Sequence, residues 1–260
     1  MSLMASHLFG EIKGPVFSLL LILCLIIPVL LLFRGSSGGP MPQHLSASLI
    51  LGQLISFGLS YGVWIVAFVG FLAVWEKRRS LKDILSSVGF RREGLGKSVF
   101  WSLLILIPTG LVFGLVMVLF SNLLGPTSMT QASNPSGGSP PTWYIYYLII
   151  YAFFPVAVFE EAFGRGYILD RLMPQHPSSI RKALPAIMLS SVLFTLFHVP
   201  SYILLYSFSP MWAIALLIGN VLPNSIFLAI SYVRSRTRNV GGPIVAHFLM
   251  DSLPYVLLLI

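Results

Sequence analysis

Two adjacent carboxylates, Glu160 and Glu161, lie in a run of apolar and aromatic residues that covers positions 143–172. A charged side chain at the centre of a bilayer costs roughly 2.5–3.5 kcal/mol on insertion scales. Such side chains face the protein interior or a wet cavity, and they commonly mark a functional site. Glu161 and Arg165 are four residues apart, so on a helix they share a face and can pair. Glu160 is turned by about 100° from its neighbour, which leaves its carboxylate free for chemistry.

Three more ionisable residues lie inside apolar segments. His247 and Asp251 are four residues apart, which places them on one helical face. His198 precedes Pro200, which bends or ends a helix. Together with the free carboxylate, these residues form a candidate site drawn from three segments: Glu160, His198, His247 and Asp251. The alternative is a buried polar network that only holds helices together.

Glutamate and histidine together are suited to activating water. A carboxylate in a water-poor pocket can act as general base, and a neighbouring imidazole can orient the water or carry the proton. A second histidine with a side-chain donor can stabilise the oxyanion of an attacked amide. The set therefore predicts hydrolysis of a peptide bond within a bilayer, without a cofactor. A serine mechanism through Ser190 or Ser191 is disfavoured because no nucleophile elbow is present.

Zinc is an alternative to a cofactor-free site. Zinc accepts carboxylate and imidazole ligands, and Glu160, His198 and His247 would bind it, although the spacing HExxH is absent. Two hypotheses without catalysis also remain open: a membrane scaffold and an ion-coupled transporter. In a transporter, Asn220 and Asn224 would line the path, but the paired repeats common in carriers are not visible.

The composition shows which elements must position these residues. The 260-residue chain is 56% hydrophobic and 9% charged, whereas soluble domains carry about 25% charged residues. We therefore predict an all-α polytopic membrane bundle. The single cysteine, Cys24, excludes a disulfide framework and a cysteine-based metal site. We expect no cleavable signal peptide, because the first apolar run is long enough to span the membrane and lacks a cleavage site.

Seven apolar segments are long enough, or nearly so, to cross the hydrocarbon. They cover residues 15–33, 46–75, 98–124, 142–172, 183–207, 211–233 and 243–260. We interpret residues 1–260 as one membrane domain, with N-terminal spans over 1–142 and a catalytic core over 143–260. Because His198 would lie deeper than Glu160, we predict that the fifth helix begins late, near Pro185.

A short amphipathic segment, 80–88, separates the second and third spans. Leu81, Ile84, Leu85 and Val88 follow helical spacing, and Ser80 can cap the helix at Asp83. We predict a helix lying in the headgroup region; an ordinary surface helix is the alternative.

The basic residues lie almost entirely in the loops that the seven spans would place on one side of the membrane. If the N-terminus and the loops around 76–97, 165–182 and 234–238 are cytoplasmic, fifteen of the sixteen Lys and Arg residues are inside, and only Arg34 is outside. This arrangement satisfies the positive-inside rule. The net charge of +8 therefore reflects membrane topology, and we expect no nucleic-acid partner.

Three motifs resemble those of the type II CAAX prenyl proteases, also called the Abi or CPBP family of intramembrane proteases. They are EExxxR at 160–165, FxxxH at 194–198 and HxxxN/D at 247–251. The resemblance covers residues 151–260 and implies antiparallel membrane helices around a cavity open to the cytoplasm and to lipid. It implies that Glu160 and His198 activate water, that His247 and Asp251 form the oxyanion site, and that Glu161 and Arg165 support Glu160.

The resemblance also implies a substrate and a location. Prenylated proteins that end in CAAX would be cut after the modified cysteine, with the prenyl chain entering from the bilayer. Other members are bacterial proteins of unknown substrate, some tied to bacteriocin immunity or acting as scaffolds, so we expect a prokaryotic cell membrane more than the endoplasmic reticulum. Asp251 lies where an asparagine amide would be a ready hydrogen-bond donor. A carboxyl group donates a hydrogen bond only when it is protonated.

Overall fold

The computed structural model describes residues 12–33, 62–78, 80–124, 146, 149–150, 156–174, 179–205 and 210–256. Within these ranges the regular structure is entirely helical and contains no strand. The predicted all-α class is therefore confirmed for the described part of the chain.

Eight helices follow one another in this part of the chain. The first four are α1 (Lys13–Phe33), α2 (Val63–Val74), α3 (Leu81–Ser87) and α4 (Leu95–Leu124). Helix α5 consists of Val158–Glu161, the π-helical Ala162–Leu169 and Asp170–Leu172. Helix α6 consists of Ile180–Pro200 and the π-helical Ser201–Leu205. Helix α7 consists of Pro210–Leu216, the π-helical Leu217–Val221 and Leu222–Ser235, and α8 is Gly241–Val256.

Three of the described helices are long and apolar enough to cross a membrane. They are Leu95–Leu123, Ile180–Ile203 and Pro210–Ser235, and they correspond to the third, fifth and sixth predicted spans. Only 6% of the most apolar window in α4 is buried, against 44% in α6 and 50% in α7. Helix α4 therefore lies at the periphery, and α6 and α7 form the interior. The count of seven spans, the cytoplasmic N-terminus and the division at residue 142 stay predictions.

The predicted late start of α6 is wrong. The helix begins at Ile180, and Pro185 lies inside it. The prediction assumed that Glu160 is shallow, but this residue lies twelve positions before the end of α5 at Leu172. His198 Nε2 meets Glu160 Oε2 at 3.2 Å, so the two helices bring these side chains together without a later start.

Aromatic rings pack α2, α5 and α6 together beside the two glutamates. The Phe68 ring lies 5.9 Å from Phe159 and 5.3 Å from Phe163, both edge-on. The Trp64 ring lies 5.3 Å from Phe197, also edge-on. Edge-to-face contacts of this kind add to the energy of apolar burial. Because Phe159 and Phe163 flank Glu160 and Glu161 in the chain, this packing fixes the orientation of α5.

The amphipathic helix α3 forms where it is predicted. Ser80 accepts a hydrogen bond from the Asp83 amide at 3.1 Å, which is the expected N-cap. Ile84 is buried and Val88 follows it into the core, whereas Leu85 is 40% and Leu81 66% exposed. Only half of the predicted apolar stripe packs on the protein, and the placement of α3 in the headgroup region stays a prediction.

Candidate active site

A buried ion pair lies at the centre of α5. The Arg165 guanidinium donates from Nη1 to Glu161 Oε1 at 2.8 Å, and the two side chains are 2% and 0% exposed. Its Nη2 donates to the Ser225 carbonyl of α7 at 3.3 Å. Its Cζ lies 4.4 Å from the centroid of the Phe194 ring in α6, within cation–π range. Arg165 therefore joins three helices and neutralises Glu161.

Glu160 points away from that pair and towards α6. Its Oε2 lies 3.2 Å from His198 Nε2, and His198 Nδ1 lies 2.9 Å from the Phe194 carbonyl. Because a carbonyl only accepts, Nδ1 carries a proton and donates it. A second proton must lie between Nε2 and the carboxylate, since two lone pairs at hydrogen-bond distance repel. This pair can therefore hold and transfer a proton.

His247 of α8 lies between three carboxylates. Its Nδ1 is 2.7 Å from Glu161 Oε1, its Nε2 is 3.2 Å from Asp251 Oδ2, and the same Nε2 is 4.0 Å from Glu160 Oε2. The resemblance implied that Glu161 supports Glu160. In the structure, Glu161 bonds to Arg165 and to His247, so it orients the imidazole on the other side of the site.

The structure brings together all the residues that the sequence nominated. Contacts run from His198 to Glu160, and from His247 to both Glu160 and Asp251. Glu160 is 5% exposed, whereas the Asp251 side chain is 38% exposed. The glutamate end of the site is therefore closed by protein, and the site opens at Asp251.

The alternative polar residues do not join this set of contacts. Ser190 Oγ donates to the Ile187 carbonyl at 3.0 Å, and Ser191 Oγ has no hydrogen-bond partner among the described residues. Asn224 donates to Asn220 Oδ1 at 2.7 Å, so these two amides bind each other. None of these bonds supplies the activated serine that a serine mechanism requires.

A metal was the other open hypothesis for this site. Within the described ranges, no group of three or more His, Cys, Asp or Glu residues is arranged to hold a metal ion. Glu160 Oε2 contacts His198 directly but lies 4.0 Å from His247. We therefore derive no step that passes through a metal.

Sequence reasoning missed the backbone contacts that support the site. The carbonyls of Ser225 and Phe194 accept from Arg165 and His198. Every residue has a carbonyl, so no residue type marks these two. Phe194 appeared only as the first letter of a motif, and its ring proves to be the surface on which Arg165 lies.

One comparison with known proteins gives a match. Residues 141–253 match the family model described as type II CAAX prenyl endopeptidase Rce1-like. The matched range includes α5 to α7 and the part of α8 that carries His247 and Asp251. Neither the curated proteins nor the solved structures contain a match to this chain.

Proposed function

We propose that this chain, whose residues 141–253 match the family model of Rce1-like type II CAAX prenyl endopeptidases, is a glutamate-dependent intramembrane protease. The family and the three long apolar helices support an integral membrane protein that acts on a membrane-associated substrate. The proposed reaction is hydrolysis of a peptide bond near the cytoplasmic face by water that Glu160 activates.

The chemistry follows from the order of contacts in the site. With the shared proton held on His198 Nε2, the ionised Glu160 carboxylate takes a proton from water as the water oxygen attacks the peptide carbonyl carbon. The oxyanion that forms would lie towards His247 Nε2, which is 4.0 Å from Glu160 and 3.2 Å from Asp251, and its N–H, shared with Asp251, would stabilise the developing charge. The C–N bond then breaks, and the Glu160–His198 pair returns the proton to the leaving amine.

One observation carries this proposal. A single carboxylate oxygen, Glu160 Oε2, lies 3.2 Å from one imidazole and 4.0 Å from another, each on a different helix. The buried cation next to the site, Arg165, forms its ion pair with Glu161 and not with Glu160. Glu160 is thus left to the two histidines, an arrangement that suits general acid–base work.

The substrate we propose is a prenylated protein that ends in CAAX, cut after the modified cysteine. The prenyl chain would lie in the bilayer and reach the site from the side, while the peptide would enter from the cytoplasm. We place the protein in a prokaryotic cell membrane. A chain that binds such substrates without cutting them, as a scaffold or immunity protein, is the outcome that the next experiment would expose.

Replacement of Glu160 by glutamine tests the catalytic assignment. Glu160→Gln keeps the size of the side chain and removes its basicity, so cleavage of a farnesylated CAAX peptide by protein in lipid vesicles should be abolished. Glu93→Gln, at an exposed acid, is the matched control and should leave the rate unchanged. Cleavage by Glu160→Gln at the wild-type rate would reject the mechanism, and an inactive wild type would favour the scaffold.

Chelation tests the cofactor-free mechanism separately. We expect the purified wild type to keep its activity after prolonged dialysis against EDTA and 1,10-phenanthroline, because Glu160 and His198 alone activate the water. Added zinc should not raise the rate. Loss of activity on chelation that zinc restores would show that the site requires a metal.

A further inference from the structure

Asn239, in the turn between α7 and α8 (residues 236–240), is a polar side chain with only 1% exposure. Its Nδ2 donates to the carbonyls of Arg91 and Glu93, and its Oδ1 accepts from the Gly241 amide at 2.8 Å. Both amide hydrogens and the amide oxygen are therefore in use. The acceptor caps the N-terminus of α8, and the two donors hold the loop between α3 and α4 (residues 88–94).

The backbone around Asn239 is joined to the same loop and to α4. Ser98 Oγ, at the start of α4, donates to the Asn239 carbonyl at 2.7 Å and accepts from the Gly242 amide at 3.2 Å. The Val240 amide donates to the Gly89 carbonyl at 3.0 Å. Five hydrogen bonds from residues 239, 240 and 242 thus fasten the start of α8 to residues 89–98.

Glycines allow these backbones to touch. A Cβ on Gly242 would lie 2.3 Å from the Ser98 carbonyl, and one on Gly89, which has φ of +84°, would lie 2.9 Å from Val240. Contacts under 3 Å are not tolerated by real side chains, so only glycine fits at both points. The junction is therefore closely packed from both sides, and α8 has little room to slide or rotate at its N-terminus.

Helix α8 carries two of the four site residues. His247 lies six residues beyond Gly241, which is about 9 Å along the helix. A rigid helix transmits a shift or rotation at its N-terminus to His247, whose Nε2 is already at 4.0 Å from Glu160. Displacements of about 1 Å in a catalytic group can cost about a hundredfold in rate.

We propose that Asn239 is a positioning residue for this site: by bonding the start of α8 to the α3–α4 loop, it sets the position of His247 relative to Glu160. The inference rests on the proposed protease function for its kinetic consequence. Its geometric content, the placement of His247, does not depend on that function.

The test separates the capping bond from the two loop bonds. In Asn239→Ser the hydroxyl can still cap Gly241, but both donors to Arg91 and Glu93 are lost. Arg91 and Glu93 are exposed residues of the loop, so we expect the variant to fold. The matched control is Ser231→Ala, which removes the buried Ser231–Ser102 bond at 3.0 Å between α7 and α4 without touching α8.

Kinetics with a farnesylated CAAX peptide give the first readout. Asn239→Ser should lower kcat by about tenfold or more while KM stays within about twofold, because the loss is in the placement of a catalytic group. Ser231→Ala should change neither constant by more than about twofold. An equal effect of both variants, or a loss confined to KM, would overturn the proposal.

The second readout does not require activity. The imidazole resonances of His247, assigned by loss of signal in His247→Gln, should shift in Asn239→Ser and stay unchanged in Ser231→Ala. Unchanged resonances in Asn239→Ser would overturn the proposal even if the wild type is an active protease. If Asn239→Ser fails to fold, Ser98→Ala, which removes the bond to the Asn239 carbonyl, takes its place with the same expected directions. An inactive wild type with the expected shifts would reject only the protease function.

Discussion

His247 shows at the scale of a residue how the site can tolerate an acid at position 251. Its Nδ1 is engaged by Glu161, which is already neutralised by Arg165, so the ring must donate from that nitrogen. Its Nε2 then faces Asp251 and Glu160. A protonated imidazole satisfies both sides, and Asp251 in this arrangement accepts rather than donates.

Asp251→Asn should therefore retain activity. The asparagine oxygen can accept from His247 Nε2 as the carboxylate does, and its amide adds a donor for the oxyanion. Asp251→Leu removes the acceptor that orients His247 Nε2 and should lower kcat by about 10²-fold, the cost that misplacement of a catalytic group can reach. Both rates are measured with the farnesylated peptide in vesicles. Equal inactivity of the two variants would show that the negative charge itself is needed.

Arg165 gives a prediction about stability. In Arg165→Met the buried carboxylate of Glu161 loses its main partner, and such a loss typically costs about 3–5 kcal/mol. The double variant Glu161→Gln/Arg165→Met should recover part of this free energy of unfolding, measured by denaturant titration in detergent. Arg171→Met is the control, because the Arg171 side chain is 34% exposed and its ion pair with Glu76 should contribute at most about 1 kcal/mol. Equal losses of unfolding free energy for Arg165→Met and Arg171→Met would contradict the importance of the buried Glu161–Arg165 pair for stability.

At the scale of elements, two glycines allow α5 to pack closely against neighbouring parts of the chain. A Cβ on Gly166 would lie 2.1 Å from the Val88 carbonyl oxygen, at the end of α3. A Cβ on Gly164 would lie 2.8 Å from the Phe194 ring, on which Arg165 also rests. The first contact is with backbone and cannot be relieved by a side-chain rotation, so it is the stricter of the two.

Gly166→Ala should destabilise the protein by about 1–3 kcal/mol, because overpacking forces backbone shifts in a packed core. The control is Gly110→Ala in α4, where a Cβ would meet nothing within 4 Å. There alanine should be neutral or stabilise by up to about 1 kcal/mol through its higher helix propensity. The comparison uses free energies of unfolding in the same detergent. If Gly166→Ala is as stable as the wild type, α5 does not pack on Val88 as described.

The sequence could predict those features of the helices that depend on residues close together in the chain. The Glu161–Arg165 pair, the Ser80 cap and the apolar segment of α4 follow from spacing and residue type, and each is present. The π-helical geometry of Ala162–Leu169 has no such marker, because residues of the same types and spacing also form α-helices. The start of α6 was missed for a related reason, since depth was judged from one helix without its partner.

The site could be predicted as a set of residues but not as a set of bonds. Charge in an apolar segment is visible in the sequence, so Glu160, His198, His247 and Asp251 stand out. Which carboxylate faces which imidazole depends on how α5 and α8 are rotated, and the resemblance implied only that Glu161 supports Glu160. Asn239 was missed because a polar residue in a basic turn is ordinarily exposed.

At the scale of the whole molecule, one end of the bundle is basic. The contacts of Val240 with Gly89 and of Gly242 with Ser98 bring the starts of α4 and α8 and the end of α7 to this end. Exposed cations there include Lys82, Arg92 and Arg234. Phe120 and Trp212 pack together at 6.4 Å, which places the end of α4 and the start of α7 at the other end. Positive charge retained on one side predicts that the basic end is cytoplasmic.

Labelling of single cysteines tests this orientation. In a Cys24→Ser background, Lys82→Cys and Arg92→Cys should react with a membrane-impermeant maleimide only after the cells are permeabilised, because both side chains are exposed at the basic end. Pro210→Cys, at the exposed first residue of α7, should react in intact cells. The three variants report on both ends of the bundle, so incomplete labelling at one position cannot imitate the pattern. Labelling of Lys82→Cys and Arg92→Cys in intact cells, with Pro210→Cys protected, would show that the protein has the opposite orientation. The proposed cleavage would then take place at the outer face.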